Sequence, residues 1–210
     1  MVMMSLDGAQ ASLNGFIAKE YPAFPGRTNH IRAGVLLPLQ ATLDGDLRCY
    51  LIQRTTHLRD HPGEVGFPGG KRDPADRTLA DTALRETTEE LGLSGLTVLG
   101  RLSSMPLFTS DYRLEPFVAA VPAGLVPTPS PAEVAEVLPV SLRRLMTASH
   151  TDAIPFTQDG VEVLSPVFGD LGPRPMYGGS AHVLWELLTV LGSPPPLRPG
   201  RYTWSDLKQA

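Results

Sequence analysis

Residues Arg85-Glu86-Thr87-Thr88-Glu89-Glu90 place three carboxylates and an arginine in six consecutive positions. On a helix Glu86 and Glu90 are i,i+4 neighbours and Glu89 is the i+3 neighbour of Glu86, so all three project from one face. Such a face repels itself unless a cation sits on it. A hard divalent ion, Mg²⁺ or Mn²⁺, is the natural partner, because such ions take oxygen ligands and are shared between carboxylates and substrate phosphates. The competing reading, a solvated charged face, is weakened by the glycine turn that precedes the run, Phe67-Pro68-Gly69-Gly70, where a backbone can approach a ligand closely. Arg85 also precedes Glu89 by four residues, the weaker order for a helix-stabilising pair.

The elements around the run are those needed to hold it. Leu79, Ala83, Thr87 and Leu91 recur every four residues and form a mostly apolar stripe beside the acidic face. Asp76 or Thr78 can cap the start, and Gly92 can end the helix in the left-handed conformation. Elsewhere, residues 10 to 19 read as a short helix. Strands are expected at Ile31 to Leu39 and Leu47 to Gln53, with Asp44-Gly45 as a hairpin signal between them. Further strands are expected at Thr97 to Ser103, Leu114 to Val121, Val134 to Val140 and near Val161 to Val167. Ser141 caps a short helix at Leu142 to Thr147, and His182 to Leu191 reads as an apolar helix. Pro122 to Pro131 and Pro194 to Gly200 read as proline-rich loop or tail, since repeated prolines exclude helix and inner strand.

These residues resemble the signature box of the Nudix hydrolases: Gly, five residues, Glu, seven residues, Arg-Glu, an aliphatic, any residue, Glu-Glu, any residue, Gly, an aliphatic. Gly70, Arg85, Glu86, Glu89, Glu90, Gly92 and Leu93 fill their places. Asp76 stands where the general family has Glu, eight residues rather than seven separate it from Arg85, and Thr87 replaces the aliphatic. The resemblance implies an α/β/α sandwich with a mixed β-sheet, a metal held by Glu86, Glu89 and Glu90, and hydrolysis of a phosphoric anhydride.

A second resemblance narrows the substrate. Arg54, Arg59, Gly63 and Phe67 to Gly70 fall in register with the motif of the coenzyme A pyrophosphatase branch, with Thr55 in place of its Ser or Ala. The extra residue before Arg85 is usual in that branch. Tyr177-Gly178-Gly179-Ser180-Ala181-His182 is similar to the branch's Trp-Gly-x-Thr-Ala-Arg helix entry. The resemblance spans roughly residues 30 to 192, which leaves 1–29 as an N-terminal segment with a short helix and 193–210 as a proline-rich tail. It implies cleavage of coenzyme A, or of its thioesters, to 3′,5′-ADP and 4′-phosphopantetheine or its acyl form. The rivals are another nucleoside diphosphate derivative (ADP-ribose, NADH or a nucleotide triphosphate) and a non-catalytic nucleotide-sensing domain. The second rival is disfavoured because all three box carboxylates are present and no helix-turn-helix or basic patch is evident.

Further residues follow from this chemistry. Arg85 is expected to brace a glutamate through a charge-assisted hydrogen bond. The general base is open among Glu89, Glu133 and Glu136, the last two lying where a later-loop glutamate falls in many members of the family. Glu115, inside a strand, is a weaker candidate. Arg54, Arg59, Lys71 and Arg72 are candidates for substrate phosphates, because the planar guanidinium fork binds two oxygens at once. The backbone at Gly69 and Gly70 would let the substrate or the helix sit close. His57 and His61 are assigned to loop structure, since Mg²⁺ prefers oxygen, and Tyr177 and Trp185 to the core.

Composition bounds the rest. The 210 residues suit one domain with a sizeable core, and the net charge of −4 leaves no electrostatic footprint for nucleic acid. Cys49 is the only cysteine, so no intrachain disulfide is expected. The first residues lack the basic start and apolar core of a signal peptide, and no apolar run reaches membrane-spanning length. A cytoplasmic protein without membrane partners is the expectation, and the sequence carries no signal for oligomeric state.

Overall fold

The computed structural model describes residues 4–58, 60–158 and 160–209. In chain order the elements are α1 (Leu6–Gly15), β1 (Ile31–Ala41), β2 (Leu47–Arg54), β3 (Val65–Gly66), β4 (Gly69–Lys71), α2 (Leu79–Leu91), β5 (Thr97–Arg101), β6 (Met105–Pro106) and β7 (Tyr112–Ala120). They continue with β8 (Val134–Ser141), α3 (Leu142–Thr147), β9 (Thr151–Gln158), β10 (Val161–Val167), α4 (Gly178–Leu191), β11 (Leu197–Pro199) and α5 (Trp204–Gln209). Helix α1 starts earlier than the expected span because Ser5 caps it, its side chain accepting from Gly8 N.

An eight-stranded mixed sheet runs β3-β2-β1-β7-β5, with β4 added on β1, β6 on β7 and β8 on β2. Strands β1 and β7 are parallel and in register from Ile31↔Tyr112 to Leu39↔Ala120, whereas β1 and β2 are antiparallel. Alternation along β1 separates two cores. Leu36 packs with Ala83 of α2 and Ala119 on one face. Val35, Leu37 and Leu39 pack on the other with Ala9 and Leu13 of α1 and with Val183, Leu184 and Leu187 of α4. The sheet therefore lies between helices, the α/β/α arrangement expected from the sequence. The main departure is the second, three-stranded sheet β10-β9-β11, in which residues of the proline-rich tail pair with β9 and Leu207 of α5 is buried with Ile154 and Val167.

Helix α2 is held at both ends. Thr78, not Asp76, is the N-cap: it accepts from Asp81 N at 3.1 Å while Asp81 accepts from Thr78 N at 2.8 Å, a reciprocal capping box. Gly92 ends it at φ 64°. Ala83, Thr87 and Leu91 are buried, and Thr87 returns its hydroxyl to Ala83 O at 2.7 Å, so only its methyl needs an apolar neighbour. That satisfies a polar residue at a position where the box has an aliphatic.

His182 on α4 gives the fold a pH dependence. Burial alone depresses its imidazole from the ordinary value of 6.5 to about 4, and its Nε2 lies 3.0 Å from Ser165 Oγ. The folded state resists protonation while the unfolded chain accepts it. This contribution is thus complete above the unfolded pKa and is lost as pH falls from 6.5 towards 4. The full loss is about 3 kcal/mol. Thermal melts between pH 7.5 and 4.5 should show His182→Gln gaining on the wild type as acidity rises; parallel curves would show that His182 does not control this region.

Candidate active site

The acidic face of α2 meets the backbone of β4. Gly69 and Gly70 pair with Val35 and Gly34 of β1, which fixes both glycines against the helix. A Cβ on Gly70 would come 2.5 Å from Glu86 Cδ, and one on Gly69, at φ 151°, would come 2.7 Å from Val35 Cα. Neither position admits a side chain without displacing the carboxylate or the strand.

Glu90 is the centre of the cluster. Its side chain is 2% exposed, and its Oε2 accepts from Gly69 N at 2.9 Å. Its Oε1 lies 3.4 Å from Arg54 Nη1. Burial pushes its pKa up to about 7; the Gly69 N–H and Arg54 oppose this, and the charges of Glu86 and Glu133 add to it. Glu86 is also raised, first by burial, with Glu89 and Glu133 reinforcing and Arg85 opposing. Two partly desolvated carboxylates, both raised further by Glu133, leave negative charge that the protein compensates incompletely.

Arg85 organises the rest. Its Nη2 donates to Glu86 Oε1 at 2.9 Å, to Asp76 Oδ2 at 3.2 Å and to Lys71 O at 3.2 Å. Its Nη1 donates to Glu89 Oε2 at 2.9 Å. Asp76 is buried, accepts from Arg85, Asp73 N and Thr82 Oγ1, and is held at about pKa 2 chiefly by its hydrogen bond to Arg85. It is the anchor on which Arg85 turns. Sequence reading left its role open, and the signal was there: an acid in the box position ahead of the only arginine on α2.

Of the expected site residues, the structure brings together Arg54, Gly69, Gly70, Arg85, Glu86 and Glu90, with Glu89 on the rim at 54% side-chain exposure. Glu133 joins them. The loop after β2 is stitched to the turn before β8 by Thr55 N to Glu133 O at 2.9 Å and by His57 Nε2 at 3.1 Å from Ala132 O. That stitching sets the Glu133 charge where it raises Glu86 and Glu90. A β-bulge between Gln53 and Arg54 breaks the β2–β8 register beside the same point, a common device for re-aiming a side chain.

Other candidates stand apart. Glu136 is exposed on β8, opposite Gln53. Glu115 is buried, and its Oε1 accepts from Arg32 Nη1 at 2.6 Å and Ser104 Oγ at 2.8 Å, which commits it to those partners. Arg72 donates to Asp76 O and Arg77 O, which spends its guanidinium on the loop before α2 rather than on a ligand. Lys71 is exposed with its ammonium 5.0 Å from the centre of the Tyr112 ring. Arg59 lies outside the described residues.

Among the described residues, no three His, Cys, Asp or Glu side chains converge as a ready-made ion cage. Arg54 and Arg85 occupy carboxylate oxygens instead. The donor set nevertheless fits a hard divalent cation: Glu86 and Glu90 offer oxygen donors, and their mutual repulsion is what such a cation would relieve.

Comparison with known proteins follows the same line. The family model for the NUDIX domain matches residues 29–159. Proteins of Yersinia pestis (strain Pestoides F) and Yersinia pseudotuberculosis serotype O:1b (strain IP 31758), both described as "Uncharacterized Nudix hydrolase NudL", are 36% identical over 132 residues. The match covers 62% of this chain and 65% of each relative, so the chain spans less than two thirds of their length. The crystal structure of a MutT/nudix family protein from Enterococcus faecalis superposes with TM-score 0.50 at 17% identity, covering 90% of this chain and 75% of that one, a likeness of fold.

Proposed function

This chain belongs to the Nudix family, and from that premise we propose that it is a metal-dependent pyrophosphohydrolase cleaving the diphosphate of coenzyme A or its thioesters. One observation carries the reading: two separate motifs meet on one carboxylate. Arg54 and Gly69, from the stretch similar to the coenzyme A pyrophosphatase branch, both contact Glu90 of the Nudix box.

Glu86 and Glu90 would hold Mg²⁺ or Mn²⁺, with Glu89 at the rim. When bound, such an ion neutralises diphosphate charge and makes a coordinated water more acidic, effects worth several kcal/mol in the transition state. The chain's own groups do the remaining work. Arg85, anchored on Asp76, keeps Glu86 and Glu89 extended from α2. Arg54 keeps 27% side-chain exposure, so its guanidinium can offer a donor to a substrate phosphate besides its contact with Glu90. Glu133 is the preferred general base over Glu136, because its charge is felt by both inner carboxylates. Lys71 and Arg59 remain candidates for the nucleotide's outer phosphates.

Cys49 is buried and unpaired, and no helix among the described residues is long and apolar enough to cross a membrane. A cytoplasmic location is part of the proposal. Turnover of coenzyme A, ADP-ribose, NADH and nucleoside triphosphates, compared as kcat/KM with Mg²⁺ and Mn²⁺, tests the substrate assignment. Coenzyme A should lead. A lead by another compound would keep the chemistry and remove the branch assignment.

A further inference from the structure

Arg174 lies between β10 and α4, outside every motif read from the sequence. Its guanidinium rests on Gly63: a Cβ there would come 3.0 Å from both Cζ and Nη1. Gly63 also has φ 72°, a backbone conformation that favours glycine. The loop that carries Gly63 starts at Arg54. Gly63 N donates to Thr55 O at 3.3 Å and Arg54 N donates to Glu64 O at 3.0 Å. One short loop therefore has a guanidinium on each side, Arg54 towards Glu90 and Arg174 across the glycine.

Among the described residues the Arg174 guanidinium has no hydrogen bond or ion pair. The carboxylate of Glu64 is taken by His61, whose Nδ1 lies 2.9 Å from Glu64 Oε2. His61 holds φ 53°, an unfavourable value for a residue with a side chain, so the loop is constrained into this shape. A surface arginine is ordinarily solvated and mobile. This one lies close against the Gly63 backbone, and among the described residues its nitrogens have no protein acceptor. Its planar guanidinium can present two donors to two oxygens of one phosphate.

We propose that Arg174 binds a phosphate monoester carried by the nucleotide away from the scissile diphosphate, and so selects substrates that bear one. In coenzyme A that group is the 3′-phosphate. The inference rests on the function proposed above, and deepens it by assigning substrate selection to a residue that no motif marks. A nucleoside spanning the loop would place its diphosphate at Glu86 and Glu90 and its monoester at Arg174.

The test is calorimetric binding of 3′,5′-ADP and of 5′-AMP to the wild type, Arg174→Gln and Arg174→Lys. The wild type should prefer 3′,5′-ADP. Arg174→Gln should lose that preference, weakening 3′,5′-ADP roughly 10- to 100-fold with 5′-AMP little changed, and Arg174→Lys should keep part of it. Equal losses on both ligands, no loss on either, or a wild type without preference would overturn the proposal. The function reading fails separately: a wild type that prefers 3′,5′-ADP yet leaves coenzyme A uncut keeps Arg174's role and removes the hydrolase assignment. Cleavage of coenzyme A without the preference does the reverse.

Discussion

Replacing Glu90 by glutamine is expected to lower kcat/KM on the order of 10³-fold while leaving the metal-free protein at least as heat-stable as the wild type. The two halves of this result have different causes. Activity falls because the inner carboxylate loses its charge, and charge is what an ion and a diphosphate require there. Stability does not fall because the glutamine carbonyl can still accept from Gly69 N, and the buried charge was costly to begin with: burial pushes Glu90 up to about pKa 7. Arg54 loses its partner but keeps 27% side-chain exposure, enough to remain solvated. Steady-state kinetics with a thermal melt in chelator reads both. Near-wild-type turnover by folded Glu90→Gln would remove Glu90 from the site.

Arg85→Lys should be nearly as damaging, with a loss of about 10²-fold in kcat and a lower melting temperature. Lysine keeps the charge but not the fork. Arg85 serves Asp76, Glu86, Glu89 and Lys71 O through three different nitrogens, and a single ammonium cannot span those directions. Asp76 would stay buried with only Thr82 and the loop backbone, and Glu86 would be free to swing from Gly70. Because Arg85 acts through the glutamates, KM should move much less than kcat, and the metal concentration needed for half-maximal rate should rise. A variant that melts lower but keeps its wild-type metal requirement would confine Arg85 to a structural role.

What the sequence revealed follows a physical division. The acidic helix was legible because its apolar stripe, its cap and its terminal glycine all act locally within residues 76–92. Long-range geometry was not. Glu133 and Glu136 read alike in Pro131-Ala-Glu-Val-Ala-Glu-Val, and only the pairing of β8 with β2 places Glu136 opposite Gln53 and leaves Glu133 in the turn stitched to Thr55. Arg72 was a candidate on position alone, without the motif match of Arg54, and its neighbours' carbonyls claim it. Strand β9 was missed because Thr-Asp-Ala-Ile-Pro-Phe-Thr-Gln holds a proline and no clear alternation. The proline is tolerated because β11 pairs with β9 only from Thr151 to Ala153, short of Pro155. The start of α4 at Gly178 was late in the reading because Tyr177 offers no side-chain cap and two glycines follow it. Arg174 had no sequence signal at all; its meaning lies in contact with Gly63, far away in the chain.

The most direct measurement is identification of the products by chromatography and mass spectrometry after incubating purified protein with coenzyme A and Mg²⁺ or Mn²⁺, with Glu90→Gln alongside. The account predicts 3′,5′-ADP and 4′-phosphopantetheine in equal amounts from the wild type and almost none from Glu90→Gln. Intact coenzyme A under both metals, in a preparation shown to be folded, would contradict it.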